Sequence, residues 1–156
     1  MHSRIFQLST KPIDKEDYID DSAYAYDHWF TRSIADYVVD SAYRNEDLKW
    51  LEDCYDNRGI KFGKDDNGEY LIVESKQKYF DNSFNKFMET IEKVKSYTIN
   101  DFVEGFNEMW HLKNAYEDKY GFYVDVDEEL MSFDSFIRYC TINEKHYIGG
   151  TLDYHW

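Results

Sequence analysis

The sequence is poor in proline, glycine and cysteine, and it contains no long hydrophobic run. Proline occurs once, at Pro12, and glycine only 7 times among 156 residues. No Pro-, Gly- or Ser-rich linker therefore divides the chain, and we expect a single domain over residues 1–156, long enough to bury a hydrophobic core. A membrane-spanning helix needs about 20 consecutive apolar residues, and the sequence has no such run.

The two cysteines indicate free thiols. Cys54 and Cys140 lie far apart in the sequence and fall at apolar positions of predicted helices. This placement favours two buried free thiols in a reducing compartment over a disulfide. The first ten residues, MHSRIFQLST, lack the apolar segment of a secretory signal. We expect a cytoplasmic protein.

Positively charged residues are much scarcer than negatively charged ones. Lysine and arginine number 18 against 32 aspartates and glutamates, a net charge of -14. A chain this anionic is repelled by DNA, RNA and anionic lipid, because binding to these needs cations. We therefore expect no direct binding to nucleic acid or membrane. A positively charged protein partner fits the sign of the charge, and so does a role in solubility alone.

Hydrophobic periodicity predicts an α+β fold, with an antiparallel or mixed sheet of about five short strands and helices packed on one side. The strand-like runs lie at residues 4–8, 60–64, 69–74, 121–126 and 145–156. Asn67-Gly68 is the favoured type I′ turn of a hairpin. The last run is a strand or a hairpin broken at Gly149-Gly150.

Apolar residues at three- and four-residue steps predict about five helices. They are expected from Ser33, from Asn45, over residues 76–96, from Thr98 to Gly121 and over residues 132–140. Ser33 and Asp36 form a candidate capping box for the first helix. In residues 76–96 the spacing predicts one continuous apolar stripe from Phe80 to Val94.

Motifs for catalysis, phosphate binding or metal binding are missing. The sequence has no CxxC, HExxH, GxSxG or Walker A pattern, so we predict no catalytic residue, metal site or cofactor. KDDNGEYLIVE has the Asp, Asn-Gly and Glu of a calcium loop, but Gly63 stands where the EF-hand pattern needs Asp. DVDEE at residues 125–129 is the one cluster that offers several oxygen ligands to a hard cation.

One arrangement of histidines leaves a small enzyme or a metal- or ligand-binding protein as an alternative. His146 and His155 flank Gly149-Gly150 and would face each other across a hairpin, with Asp153 nearby. His28-Trp29 or Trp110-His111 would then fold alongside. Polar residues on an edge strand explain the same pattern without chemistry.

The acidic residues are concentrated in two segments. Residues 14–57 carry thirteen carboxylates against four cations, and residues 125–134 carry five carboxylates with no cation before Arg138. The stretch DKEDYIDDSAYAYDHWF at residues 14–30 interleaves acids with aromatic rings, which are common interface anchors. The predicted partner-binding residues are Asp14, Glu16, Asp17, Tyr18, Asp20, Asp21, Tyr24, Tyr26, Asp27, Asp125, Asp127, Glu128 and Glu129.

Rows of carboxylates about 6 Å apart, in an extended segment or along a helix, would resemble the phosphates of a nucleic-acid strand. In composition the chain is similar to nucleic-acid-mimic inhibitors, such as antirestriction and anti-CRISPR proteins, and to immunity proteins that neutralise nucleases. The similarity covers no alignable motif. It implies a non-catalytic protein that docks on a cationic partner, such as a nuclease, and inhibits it. An oligomeric scaffold module is a further alternative, because the many aromatic rings exceed what a small core hides.

Overall fold

The computed structural model describes all 156 residues. It contains seven strands: β1 (His2–Ser9), β2 (Tyr37–Asp40), β3 (Ile60–Asp65), β4 (Gly68–Val73), β5 (Tyr123–Val126), β6 (Glu129–Ser132) and β7 (Lys145–His155). The α-helices are α1 (Trp29–Ser33), α2 (Arg44–Tyr55), α3 (Lys76–Lys95), α4 (Ile99–Glu104), α5 (Glu108–Tyr116) and α6 (Phe133–Tyr139). Two short 3₁₀ helices span Lys15–Asp17 and Asp21–Tyr24.

The strands form one mixed sheet in the order β3-β4-β7-β1-β5-β6. The β1–β5 pair is parallel and every other pair is antiparallel. The 11-residue β7 lies at the centre: its first half pairs with β4 and its second half with β2. The α+β class is therefore confirmed, and the sheet has seven strands rather than about five.

Both faces of the sheet are covered, so the expectation of helices on one side only was wrong. Successive residues of β1 point to opposite faces, as a pleated strand requires. Phe6 belongs to a core under α2, α3 and α6, whereas Ile5 belongs to a second core. That second core contains Tyr24 and Phe30, which belong to the acidic and aromatic stretch at residues 14–30. This stretch therefore packs against the sheet rather than connecting two elements through solvent.

Two four-residue strands escaped prediction. Residues 37–40, expected in a helix from Ser33, form β2 against the end of β7. The helix in this region, α1, ends at Ser33 instead of beginning there. Strand β6 pairs with β5 through a tight turn at Asp127 and Glu128, whose φ angles of 51° and 70° lie in the left-handed region.

The predicted hairpin is confirmed, with a different turn. Strands β3 and β4 pair antiparallel, and Asp65 stands opposite Gly68. The turn residues are therefore Asp66 and Asn67. Neither of them has the positive φ that a type I′ turn needs, and Gly68 takes the positive value of 127°.

The predicted helix over residues 76–96 matches α3, whereas the helix expected from Thr98 to Gly121 is divided. Thr98 and Asp101 form a capping box at the start of α4. Gly105 then adopts a φ of 85°, and a new helix, α5, begins at Glu108. No helix in the structure combines the length and the apolar character that crossing a membrane requires.

Candidate functional site

The acidic segment, residues 14–28, is held against the sheet by Gln7 of β1. The Gln7 side-chain amide donates to the Asp17 carbonyl oxygen at 2.9 Å. Its Oε1 accepts from the backbone nitrogens of Ile19, at 3.1 Å, and Gly150, at 2.9 Å. One side chain thus ties the middle of the acidic segment to β1 and β7.

The Gly149-Gly150 pair makes room for this attachment. A Cβ at Gly149 would lie 2.3 Å from the Gln7 Oε1, and a Cβ at Gly150 would lie 2.9 Å from the Ile19 carbonyl oxygen. Strand β7 continues through both glycines. The two glycines therefore mark a close approach of another backbone, not a break in the strand.

We expect Gly150→Ala to loosen the acidic segment. The added methyl group meets backbone atoms of Ile19 that cannot rotate away, and such overpacking costs about 1–3 kcal/mol. Trypsin should then cleave after Lys15 faster than in the wild type. Gly68→Ala is the control: it strains a turn residue with nothing within 4 Å, and it should leave cleavage at Lys15 unchanged. Equal cleavage rates in the Gly150→Ala variant and the wild type would contradict this attachment.

A hydrogen bond joins the two acidic segments. The Tyr24 phenol, which is buried, donates to the Asp125 carboxylate at the end of β5. Burial raises the pKa of Tyr24, and the Asp125 carboxylate raises it further, so the phenol stays protonated and donates. The second Asp125 oxygen accepts from the Glu128 backbone nitrogen at 3.1 Å. Tyr24 and Asp125, predicted as partner contacts, are therefore internal, and that prediction was wrong for both.

Nine of the predicted carboxylates are exposed, and none of them forms an ion pair. Asp17 from the first segment and Asp127 and Glu128 from the second line one cavity of about 560 Å³, beside His28. We call the nine carboxylates the acidic surface: Asp14, Glu16, Asp17, Asp20, Asp21, Asp27, Asp127, Glu128 and Glu129.

The expected extended row of carboxylates does not occur in this segment. Residues 15–17 and 21–24 form 3₁₀ helices instead. Each of these helices is a single turn, and Asp14 lies just before the first of them in extended backbone. Of the predicted tyrosine anchors, Tyr26 is 88% exposed, whereas Tyr18 is half-buried with the Arg44 guanidinium 5.2 Å from its ring centre.

Some carboxylates of residues 14–57 do not contribute to this surface. Asp47 is buried and accepts from Arg4 Nε at 2.5 Å and from the Thr151 hydroxyl at 3.0 Å. The Ser41 hydroxyl also donates to it. Asp36 lies 3.1 Å from the His155 ring at the far end of β7. Asp47 thus ties helix α2 to the sheet through Arg4 of β1 and Thr151 of β7.

The alternative site at His146, Asp153 and His155 does not form, because the two histidines lie far apart. Because β7 is continuous, His146 and His155 are separated by nine residues of strand, about 30 Å. The His155 ring stacks on Tyr37, and Asp153 accepts from Arg4 at 2.7 Å. His146 is buried, with its ring edge-on to Phe136. The hairpin that would have brought the two histidines together was a wrong prediction.

His146 makes stability depend on pH. Burial lowers the pKa of His146 below 6.5, although Glu144 nearby opposes the shift. As the pH falls through about 6.5, His146 is protonated in the unfolded chain but stays neutral in the folded protein. The unfolded state is therefore favoured, and stability that is present above that pH is lost below it. We expect His146→Gln to lose less stability than the wild type between about pH 7.5 and pH 5.5 in urea denaturation. His111→Gln, at an exposed histidine, should keep the wild-type difference, and an unchanged difference in His146→Gln would contradict this role.

Trp110 and His111 lie elsewhere, on a polar cleft of about 460 Å³ between α3 and α5. Asp134 lies in the same cleft and accepts from the Tyr79 phenol at 2.8 Å and from the Asp118 backbone nitrogen at 2.9 Å. Burial raises the pKa of Asp134 above its ordinary value. Sequence reasoning had counted Asp134 with the second acidic segment. Its oxygens are instead occupied by groups of the protein itself.

The two thiols are free and half-buried, and both pack against the larger core. Burial raises the pKa of Cys54 and of Cys140. A raised pKa keeps a thiol protonated and unreactive at neutral pH. Neither cysteine has the environment of a nucleophile.

No group of three or more His, Cys, Asp or Glu side chains is arranged to hold a metal ion. The chain matches no family model, no curated protein and no solved structure. The functional conclusion therefore depends on the geometry and charge of the acidic surface.

Proposed function

We propose that this protein is a non-catalytic binding protein whose acidic surface docks on a positively charged protein and inhibits it. The partner class we favour is a nuclease or another enzyme of nucleic acids, because such enzymes carry a cationic groove for phosphates. The observation that carries the proposal is the set of nine exposed carboxylates without an ion pair, gathered from two distant segments.

The charge distribution supports a binding role for this surface. Like charges at neighbouring positions repel one another and weaken the folded state. Within residues 14–27 six carboxylates have only Lys15 as a counter-charge. A cationic partner would relieve this repulsion on binding.

The turn at Asp127 and Glu128 supports the same role. Both residues adopt left-handed backbone angles, which glycine or asparagine would adopt at lower cost. Carboxylates at these two positions add negative charge at the rim of the cavity that Asp17 also lines. A surface that keeps charge at a conformational cost is typical of a functional site.

In docking, the charge of the acidic surface would raise the association rate, and aromatic contacts would add to the affinity. Complementary charge accelerates association, and carboxylates accept paired hydrogen bonds from arginine. Tyr26, which projects from the acidic segment, would supply a rigid contact. Occupation of the partner's groove would exclude nucleic acid from it. We place this binding in the cytoplasm, where the free thiols of Cys54 and Cys140 would stay reduced.

The proposal is tested by recovering the partner from the native host and measuring its activity. The immobilised protein should retain a basic nucleic-acid enzyme at low salt and release it at high salt. Titration of the protein into a cleavage assay with that purified enzyme should inhibit cleavage stoichiometrically. If the retained enzyme cleaves at the same rate with and without the protein, the inhibitory function is wrong.

A further inference from the structure

Helices α3, α4 and α5, residues 76–116, form a helical arm whose apolar side chains are largely exposed. Only Tyr79 and Glu108 are buried in these three helices, and α4 buries no residue. The predicted apolar stripe of α3 is accordingly half-buried at best, and Phe84 is exposed. One cleft between α3 and α5, which contains Asp134, is polar, whereas a second groove beside α5 is lined by Phe87 of α3 and by Met109 and Leu112 of α5. The arm therefore leaves much of its apolar surface open to solvent.

The exposed apolar area is large enough for a protein interface. A buried aromatic side chain covers about 150–250 Å², so the exposed parts of Phe84, Phe102 and Tyr116 amount to roughly 300–500 Å². Ile99, Val103 and Met109 add to this area. A standard interface uses about 800 Å² on each partner, and the largest apolar patch of a monomer is often a functional surface.

The charge of the arm identifies the kind of partner. Residues 76–116 contain six lysines and six carboxylates, a net charge of zero. The whole net charge of -14 therefore lies outside the arm. Two copies of so acidic a protein repel each other wherever their bodies meet, but they can meet through the arms without bringing like charges together.

The arm carries both an apolar ridge and an apolar groove, which are complementary in shape. Ile99, Phe102 and Val103, each at least 71% exposed, lie on one side of α4 at i, i+3 and i+4 and form an apolar ridge. A groove of about 570 Å³ runs beside α5, lined by Phe87, Met109, Leu112 and Tyr116 among others. A chain with both a ridge and a groove can pair with a copy of itself, each ridge entering the groove of the other copy.

We propose that the helical arm is a homodimerisation surface, in which the α4 ridge of each copy fills the α5 groove of a second copy of this chain. This dimer does not depend on the function proposed for the acidic surface. Binding through the acidic surface weakens as salt is added, whereas salt screens the repulsion between two copies. The dimer should therefore persist or tighten at high salt.

Sedimentation equilibrium of the full chain tests the dimer. We expect the wild type to be dimeric at low and high salt, and Phe102→Ser with Val103→Ser to raise the dissociation constant at least about 100-fold. Because α4 buries nothing, this ridge variant should keep the wild-type circular dichroism spectrum. Tyr139→Ser with Ile142→Ser removes exposed apolar side chains outside the arm and should remain dimeric.

A mixing experiment distinguishes the ridge-in-groove contact from any other contact of the arm. Met109→Lys places a charge in the groove and should also give monomers. An equimolar mixture of this groove variant with the ridge variant should form heterodimers, because one intact ridge still meets one intact groove. A monomeric wild type, a dimer that dissociates as salt is added, a dimeric ridge variant or a mixture without heterodimers would overturn the proposal.

Discussion

Replacing Asp47 by alanine should lower the free energy of unfolding by about 3–5 kcal/mol, the cost of removing one partner from a buried ion pair. Asp47 is buried beside Arg4, which is itself mostly buried. The carboxylate also accepts from the hydroxyls of Ser41 and Thr151. Its loss leaves two hydroxyls without this acceptor and leaves Asp153 as the one carboxylate paired with Arg4. Urea denaturation measures the effect directly.

The matched control for this prediction is Asp53→Ala. Asp53 lies on the same helix, α2, but it is exposed and forms no ion pair or side-chain hydrogen bond. Its replacement should change the free energy of unfolding by less than about 0.5 kcal/mol. Equal effects of the two substitutions would mean that Asp47 acts through the charge of the helix and not through its buried contacts.

Neutralising the acidic surface should slow association with the cationic partner about 10- to 100-fold at low salt. The variant carries asparagine at Asp17, Asp20, Asp21 and Asp27, which are exposed and make no ion pair. Its net charge changes from -14 to -10. Because the steering field decays within about 10 Å at 0.1 M salt, the difference from the wild type should shrink as salt is added. Stopped-flow or surface-based kinetics with the partner measure it.

A second variant with the same net charge separates the surface from the charge of the whole molecule. It neutralises four exposed, unpaired carboxylates on other elements, as Asp53→Asn, Asp66→Asn, Asp81→Asn and Glu104→Gln. We expect it to associate at nearly the wild-type rate. If both variants slow association equally, total charge and not the acidic surface governs binding.

Local sequence patterns were sufficient to predict the secondary-structure elements that are long or are bounded by a strong turn signal. The alternation in β1, the apolar period of α3 and the glycine at the β3–β4 turn each specify their element through neighbours in sequence. Strand β2 is different, because Ile34, Tyr37 and Val38 fit helical spacing. The pairing of residues 37–40 with the end of β7, more than a hundred residues away, decides their conformation.

The break between α4 and α5 is indicated in the sequence by Gly105, although the helical spacing of apolar residues continues past it. Gly105 stands in the middle of a pattern that otherwise continues, and its left-handed backbone ends α4 there. Because the two helices are short, their apolar residues cannot all turn to the same side of the arm. The exposed ridge on α4 follows from this break.

The acidic segments could be identified from the sequence, but their internal members could not. Asp47, Asp125 and Asp134 are bound by Arg4, Tyr24 and Tyr79. Each of these partners is more than forty residues away. No local feature distinguishes such a carboxylate from an exposed one. The hydrogen bond between the two segments, from Tyr24 to Asp125, likewise depends on the register of β1 and β5.

The most direct test of the acidic surface is hydrogen exchange of this protein with and without its purified cationic partner. We predict that added protection will be confined to residues 14–28 and 125–129, and that it will disappear at high salt together with binding. Protection confined to the helical arm or to the His155 end of β7, with residues 14–28 exchanging as in the free protein, would contradict the account.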